Sequence, residues 1–295
     1  MQVHIVKPFG YCQGVKQAIN LAIQTRKDNP NVPVYTYGNL VHNAYVRDVL
    51  SSHMIQTLDR HIDFSTLKLG YMLTTAHGIS EEIIRKIKAH GFTHIDATCP
   101  LVYKSFNAIK EAISEQKIVL YFGNKKHPEA IAALSIDPHK VFIFERLDDL
   151  KNLDYQKEYV LTNQTTIRHE ELEKYYLYLL NLKYKVDLVD EVCNATKIRQ
   201  STLSEALQND FYDVVFVVGD PSSNNSRQLY QIARDLNDNS HFITSYLDIQ
   251  PEWIKNADKA LISSGASTPN ILVDQIAHFL KGNDMTKFEI ENRII

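Results

Sequence analysis

Residues 117–136, KIVLYFGNKKHPEAIAALSI, decide how the chain reads. The unbroken apolar run IVLYF has the length and the β-branched and aromatic content of a strand buried on both faces. The polar turn GNKKHPE follows, with Pro128 where a helix opens and Glu129 in its first turn, and AIAALSI continues as a helix. Strand, polar turn and helix in that order are the unit of a parallel α/β sheet.

The unit recurs on both sides. Upstream, VPVYTY (32–37) leads through GNLVHN to the helix AYVRDVLSS, and GYMLTT (70–75) leads through AHGIS to EEIIRKIKAH. Downstream, KEYVLT (157–162) leads through NQTT to IRHEELEKYYLYLLNL, and DVVFVVG (213–219) through DPSSNN to SRQLYQIARDL. KALISSG (259–265) leads through ASTPN to ILVDQIAHFL. VFIFE (141–145) and HFITS (241–245) are further strands, RLDDLKNL (146–153) is a helix or turn, and FEIENRII (288–295) is an edge strand or a docking tail. Ser80 ahead of Glu81 and Glu82 marks a helix start, and Gly91 marks that helix's end.

The three cysteines, Cys12, Cys99 and Cys193, fall at the same kind of junction. MQVHIV, FTHID and VDLVD precede them as short strands, and VKQAINLAIQTR, LVYKSFNAIKEAI and TKIRQSTLSEAL follow as helices. The separations, 99 − 12 = 87 and 193 − 99 = 94, are nearly equal, which is what one unit used three times produces. The expected fold is therefore α/β, three similar small domains with mostly parallel sheets, bounded at 1–98, 99–190 and 191–282, with a tail at 283–295. Ligands of such sheets bind at the carboxyl ends of strands. Three units turning those ends inward gather the cysteines and the polar turns at one central cleft.

Composition narrows the class. The 295 residues carry a net charge of −3, so no general affinity for nucleic acid or an anionic membrane is expected. No apolar run approaches the roughly 20 residues of a membrane span, and MQVHIVKPFGYC lacks a signal-peptide core, so a cytoplasmic protein is expected. There three cysteines are thiols rather than disulfides. Three thiolates at one point suit a zinc site with one further ligand, or a [4Fe–4S] cluster with one iron left open. The lack of a close C-x₂-C pair tilts the choice toward the cluster.

The turns supply the rest of a site. His42, His77 and His127 open or precede helices, Ser223, Asn224 and Asn225 form a hydroxyl-and-amide cup, and Ser267 sits at the next helix start. Such donors at helix N-termini suit an anion, and two adjacent phosphates suit so many of them. Glu129, with Thr165 and Thr166 from NQTT in the same unit, is placed to deliver a proton, its pKa raised by desolvation or by phosphate charge.

In order, the strings GYCQGV, LVHN, AHGIS, DATCPLV, HPE, NQTT, CNATKIRQ and SSGASTPNILV resemble the 4-hydroxy-3-methylbut-2-enyl diphosphate reductases, the LytB/IspH family, from Met1 to about Leu280. The resemblance implies a trefoil-like, pseudo-threefold arrangement around an oxygen-sensitive [4Fe–4S] cluster with Cys12, Cys99 and Cys193 as ligands and one open iron site. It implies the last step of the methylerythritol phosphate route to isoprenoids, in which an allylic diphosphate loses its hydroxyl to give isopentenyl and dimethylallyl diphosphate. His42, His77, His127, Ser223, Asn224, Asn225 and Ser267 are then the diphosphate ligands, Thr165 orients the hydroxyl, and Glu129 is the proton source. Reduced flavodoxin or ferredoxin is the implied electron donor. One departure stands out: the family pattern has two serines before the asparagine, and this chain has Ser223, Asn224, Asn225.

Overall fold

The computed structural model describes residues 1–286 and Phe288, so the reading of FEIENRII falls, apart from Phe288, outside the described residues. In chain order the strands are Gln2–Ile5 (β1), Val34–Tyr37 (β2), Ile55–Leu58 (β3), Tyr71–Leu73 (β4), Thr93–Ile95 (β5) and Ile118–Phe122 (β6). Val141–Phe144 (β7), Glu158–Asn163 (β8), Lys185–Leu188 (β9), Val214–Val218 (β10), Ser240–Ile243 (β11) and Lys259–Ser264 (β12) follow. They form three four-stranded parallel sheets, ordered β3–β2–β4–β5, β7–β6–β8–β9 and β11–β10–β12–β1. The α/β reading with three similar sheets holds.

All three orders are one topology: second strand, first, third, fourth. The last sheet obtains its fourth strand from the start of the chain, since Gln2–Ile5 runs in register with Lys259–Ile262. By its internal contacts the chain forms two compact units. One holds residues 1–12, 42–46 and the described residues from 194 on, with the third sheet. The other holds 13–41 and 47–193, with the first and second sheets.

The quoted stretch shows why these segments become strands and helices. In β6, Val119 and Tyr121 face helices Pro100–Ser114 and Pro128–Leu134, packing on Val102, Phe106, Ile109, Ala130 and Ala133. Leu120 and Phe122 point the other way, onto Phe144, Leu161, Leu172 and Leu179. Both faces are covered, so every position in the run is apolar or aromatic. β10 repeats this, with Val214, Phe216 and Val218 on one face and Val215 and Val217 on the other. At the boundaries, Ser80 caps helix Glu81–Ala89 by accepting from the Ile83 N–H, and Gly91, at φ +86°, ends it. RLDDLKNL becomes a short 3₁₀ turn, Leu147–Leu150.

Turn geometry repeats with the sheets. Gly38, Gly123 and Gly219 directly follow the first strands and donate their N–H groups to Leu58, Phe144 and Ile243 at 3.0, 3.1 and 2.9 Å. The fourth residue after each glycine is His42, His127 or Ser223. Two further on stand Ala44, Glu129 and Asn225, so one backbone place carries a methyl, a carboxyl and an amide.

Candidate functional site

Each cysteine follows the fourth strand of a sheet and is anchored in the same way. Its backbone N–H donates to a carbonyl in the turn after the third strand: Cys12 to Ala266 at 2.9 Å, Cys99 to Ala76 at 3.0 Å and Cys193 to Thr165 at 3.0 Å. All three are partly buried thiols outside any disulfide. Each directly precedes a helix, Gln13–Asp28, Pro100–Ser114 or Asn194–Asn209. Gly14, two residues after Cys12, leaves room for one of them, because a Cβ there would stand 2.6 Å from the Cys99 Sγ.

In the unit of residues 13–41 and 47–193, a continuous path of contacts joins the two cysteine turns. Beside Ala76, the partner of Cys99, the His77 ring meets the His127 ring edge-on with centroids 5.2 Å apart. His127 caps helix Pro128–Leu134, its Nδ1 accepting from the Glu129 N–H at 3.2 Å. The Glu129 carboxyl, fully buried, accepts three hydrogen bonds. Thr165 N–H and Tyr121 O–H donate to Oε1 at 2.8 and 3.1 Å, and Thr165 O–H donates to Oε2 at 2.9 Å. Thr165 in turn supplies the carbonyl that anchors Cys193.

Burial pushes the Glu129 carboxyl up from 4.5 to about 7, although the bonds from Thr165 and Tyr121 favour the ionised form. A carboxyl poised there holds a proton near neutrality and can release it. Tyr121 is also fully buried, which with the neighbouring carboxylate lifts its phenol well above 10, so it stays a donor.

In the unit of residues 1–12, 42–46 and 194 onward, the Cys12 turn is built around polar groups. Ser267 O–H donates to the His42 carbonyl at 2.9 Å, next to the Ala266 that anchors Cys12. Ser223 caps helix Asn224–Leu236 by accepting from the Ser226 N–H. Asn225, 3 % exposed, accepts from Thr196 O–H at 3.3 Å through Oδ1, while its Nδ2 is buried with no hydrogen-bond partner among the described residues. A buried amide donor left without a partner is rare in a folded protein. Asn224 opens the helix and is nearly buried. Asp220, despite burial that acts in the opposite direction, is held below the usual carboxylate range by bonds from Ser222 and the Ala44 N–H, which fixes the turn after His42.

His77, His127, Glu129, Thr165, Cys99 and Cys193 thus share one path, and Cys12, His42, Ser267, Ser223 and Asn225 share the other unit. Two residues escaped the reading of the sequence. Tyr121 looked like one more strand residue, although a tyrosine in a fully buried run needs a partner for its hydroxyl. Arg199, 3 % exposed, donates to the Gly10 and Ala195 carbonyls at 2.8 and 3.0 Å. Its signal was a polar inner stripe, Thr196, Arg199 and Gln200 beside Leu203, in helix Asn194–Asn209.

Among the described residues no helix is long and apolar enough to cross a membrane. The family model of the LytB protein matches residues 3–281. The chain is similar to the 4-hydroxy-3-methylbut-2-enyl diphosphate reductase of Brevibacillus brevis, 35% identical across 96% of this chain and 93% of that protein. It is also similar to that of Bacillus subtilis, 36% identical across 96% and 92%. Its fold matches the solved structure of the E-1-hydroxy-2-methyl-but-2-enyl-4-diphosphate reductase from Plasmodium falciparum, with a TM-score of 0.87 and 26% identity over 94% of this chain and 87% of that one. A repeated sheet with three anchored cysteines, and a family model that runs nearly end to end, place this chain in the LytB protein family.

Proposed function

We propose that the chain is a reductase of the cytoplasm that converts (E)-4-hydroxy-3-methylbut-2-enyl diphosphate to isopentenyl and dimethylallyl diphosphate. The observation that carries the reading is the buried Glu129 carboxyl, poised near neutrality on a contact path between Cys99 and Cys193. The residues fit a [4Fe–4S] cluster: Cys12, Cys99 and Cys193 are thiols anchored alike before helices, and Gly14 keeps the Cys99 Sγ accessible. When bound, the cluster supplies electrons and, at the iron without a protein thiolate, Lewis acidity toward the substrate oxygen.

The chain's own residues do the rest. His42, His77, His127, Ser223, Asn224, Asn225 and Ser267 hold the diphosphate, which fixes a small substrate at one end and lowers the entropy loss of aligning the other. The orphan Asn225 Nδ2 supports this role. Thr165 orients the allylic hydroxyl, and Glu129 supplies the proton with which that hydroxyl leaves as water. The net change replaces C–OH by C–H and releases water, consuming two electrons and two protons. The electrons come from reduced flavodoxin or ferredoxin.

Anaerobic purification tests the reading. Iron and inorganic sulfide in about equal amounts, with reduction of the allylic diphosphate, are expected. Stoichiometric zinc and an unchanged substrate would overturn it.

A further inference from the structure

We infer that Tyr121 decides which oxygen of Glu129 carries the transferable proton, and so aims that proton at Thr165. Oε1 accepts from two donors, the Thr165 N–H, fixed in the backbone, and the Tyr121 O–H. A neutral carboxyl held by two such donors keeps its carbonyl oxygen there and its proton on Oε2, 2.9 Å from the Thr165 hydroxyl. Oε2–H then donates to Thr165 Oγ1, whose own hydrogen is left to point onward. Transfer is a balanced shuttle. Thr165 releases its hydrogen to the leaving oxygen, takes the Oε2 proton in the same step, and leaves Glu129 as a carboxylate. The charge that develops reaches Oε1, where Tyr121 is already aimed.

The tyrosine is held for this task. Gly123 has no Cβ, and one placed there would stand 2.8 Å from Gln164 Cβ and 3.1 Å from Tyr121 Cε1. The missing methyl lets Gln164 and the tyrosine ring lie side by side. The repeat supplies an internal comparison: the places of Tyr121 and Glu129 are taken by Val217 and Asn225 in the third sheet, and by Thr36 and Ala44 in the first. A phenol stands at this place only in the repeat that has the carboxyl. Sheet packing alone is satisfied there by valine.

The catalytic half of the inference rests on the reductase reading, and the carboxyl's geometry does not. The test is the infrared C=O band of the buried neutral carboxyl in the full-length protein at about pH 5, well below the carboxyl's pKa, identified as the band lost in Glu129→Gln. In Tyr121→Phe, Oε1 loses one of two donors, and the band is expected to move to higher wavenumber. Turnover should fall about tenfold with KM for the diphosphate within about twofold, as the loss of one bond to a developing charge predicts. Replacing the tyrosines by 3-fluorotyrosine keeps each ring and strengthens its O–H as a donor, so it should move the same band the opposite way even where Tyr121→Phe fails to fold. Unshifted bands in both proteins, or a loss that appears in KM instead of turnover, would overturn the inference. A protein whose bands shift as expected but which has no reductase activity would instead remove the functional reading and leave the proton's placement standing.

Discussion

Glu129→Gln separates the charge of this side chain from its shape. Glutamine keeps an oxygen for the Tyr121 and Thr165 donors, and its amide hydrogen can donate to the Thr165 hydroxyl, so the contacts around the site persist. The charge does not. The wild-type carboxyl is raised from 4.5 to about 7 on folding, so 7 − 4.5 = 2.5 units separate the two states. At 1.36 kcal/mol per unit this is about 3 kcal/mol. The sign follows from where the proton is held. Below the unfolded value both states are neutral and nothing changes. Between 4.5 and 7 only the folded state keeps the proton, so stability falls as pH rises, and above about 7 the loss is complete. Melting temperatures at about pH 5 and pH 8 should therefore drop further for the wild type than for Glu129→Gln, by roughly 5 °C at about 2 °C per kcal/mol, since a little of the effect is already lost at pH 5. In the same protein turnover should collapse by roughly 10²–10⁴-fold while bound iron stays unchanged. Equal pH-dependent losses in both proteins, or near-wild-type reduction by the variant, would refute the reasoning.

Turnover of the wild type is expected to decline as pH rises through about 7, because the acid form of Glu129 is lost; a flat rate from pH 6 to about 8.5 would contradict this. Asn225→Ala removes a buried donor with no partner among the described residues, so KM for the diphosphate should rise roughly tenfold or more with the fold intact by circular dichroism. Gly14→Ala places a methyl 2.6 Å from the Cys99 Sγ and should lower iron and sulfide per chain, measured after anaerobic purification, while secondary structure is kept.

Much of this architecture is legible because parallel strands buried on both faces announce themselves. IVLYF and DVVFVVG need no partner to be read as strands, and the turns at their carboxyl ends carry the polar residues of the site. The edges are harder. β3, IQTL, buries only Ile55 and Leu58, and its Gln56 and Thr57 break the apolar run, so nothing separates it from the loops around it. β1 is visible as a strand, yet its partner lies more than 250 residues away at β12, and a local pattern cannot say which sheet completes itself with it. Site residues divide in the same way. Cys12, Cys99 and Cys193 stand out by type and spacing, and His127 and Glu129 by their place after a strand. Tyr121 and Arg199 do not, because what marks them is the group each one touches across the fold.

The most direct measurement is a single turnover under anaerobic conditions, with the chemically reduced protein in excess over (E)-4-hydroxy-3-methylbut-2-enyl diphosphate and the products resolved by mass and NMR. The expected result is loss of the allylic oxygen as water and two five-carbon diphosphates, with the protein oxidised by two electrons per substrate consumed. Recovery of the substrate with its hydroxyl intact, from protein shown to carry its full iron and sulfide, would contradict the assignment.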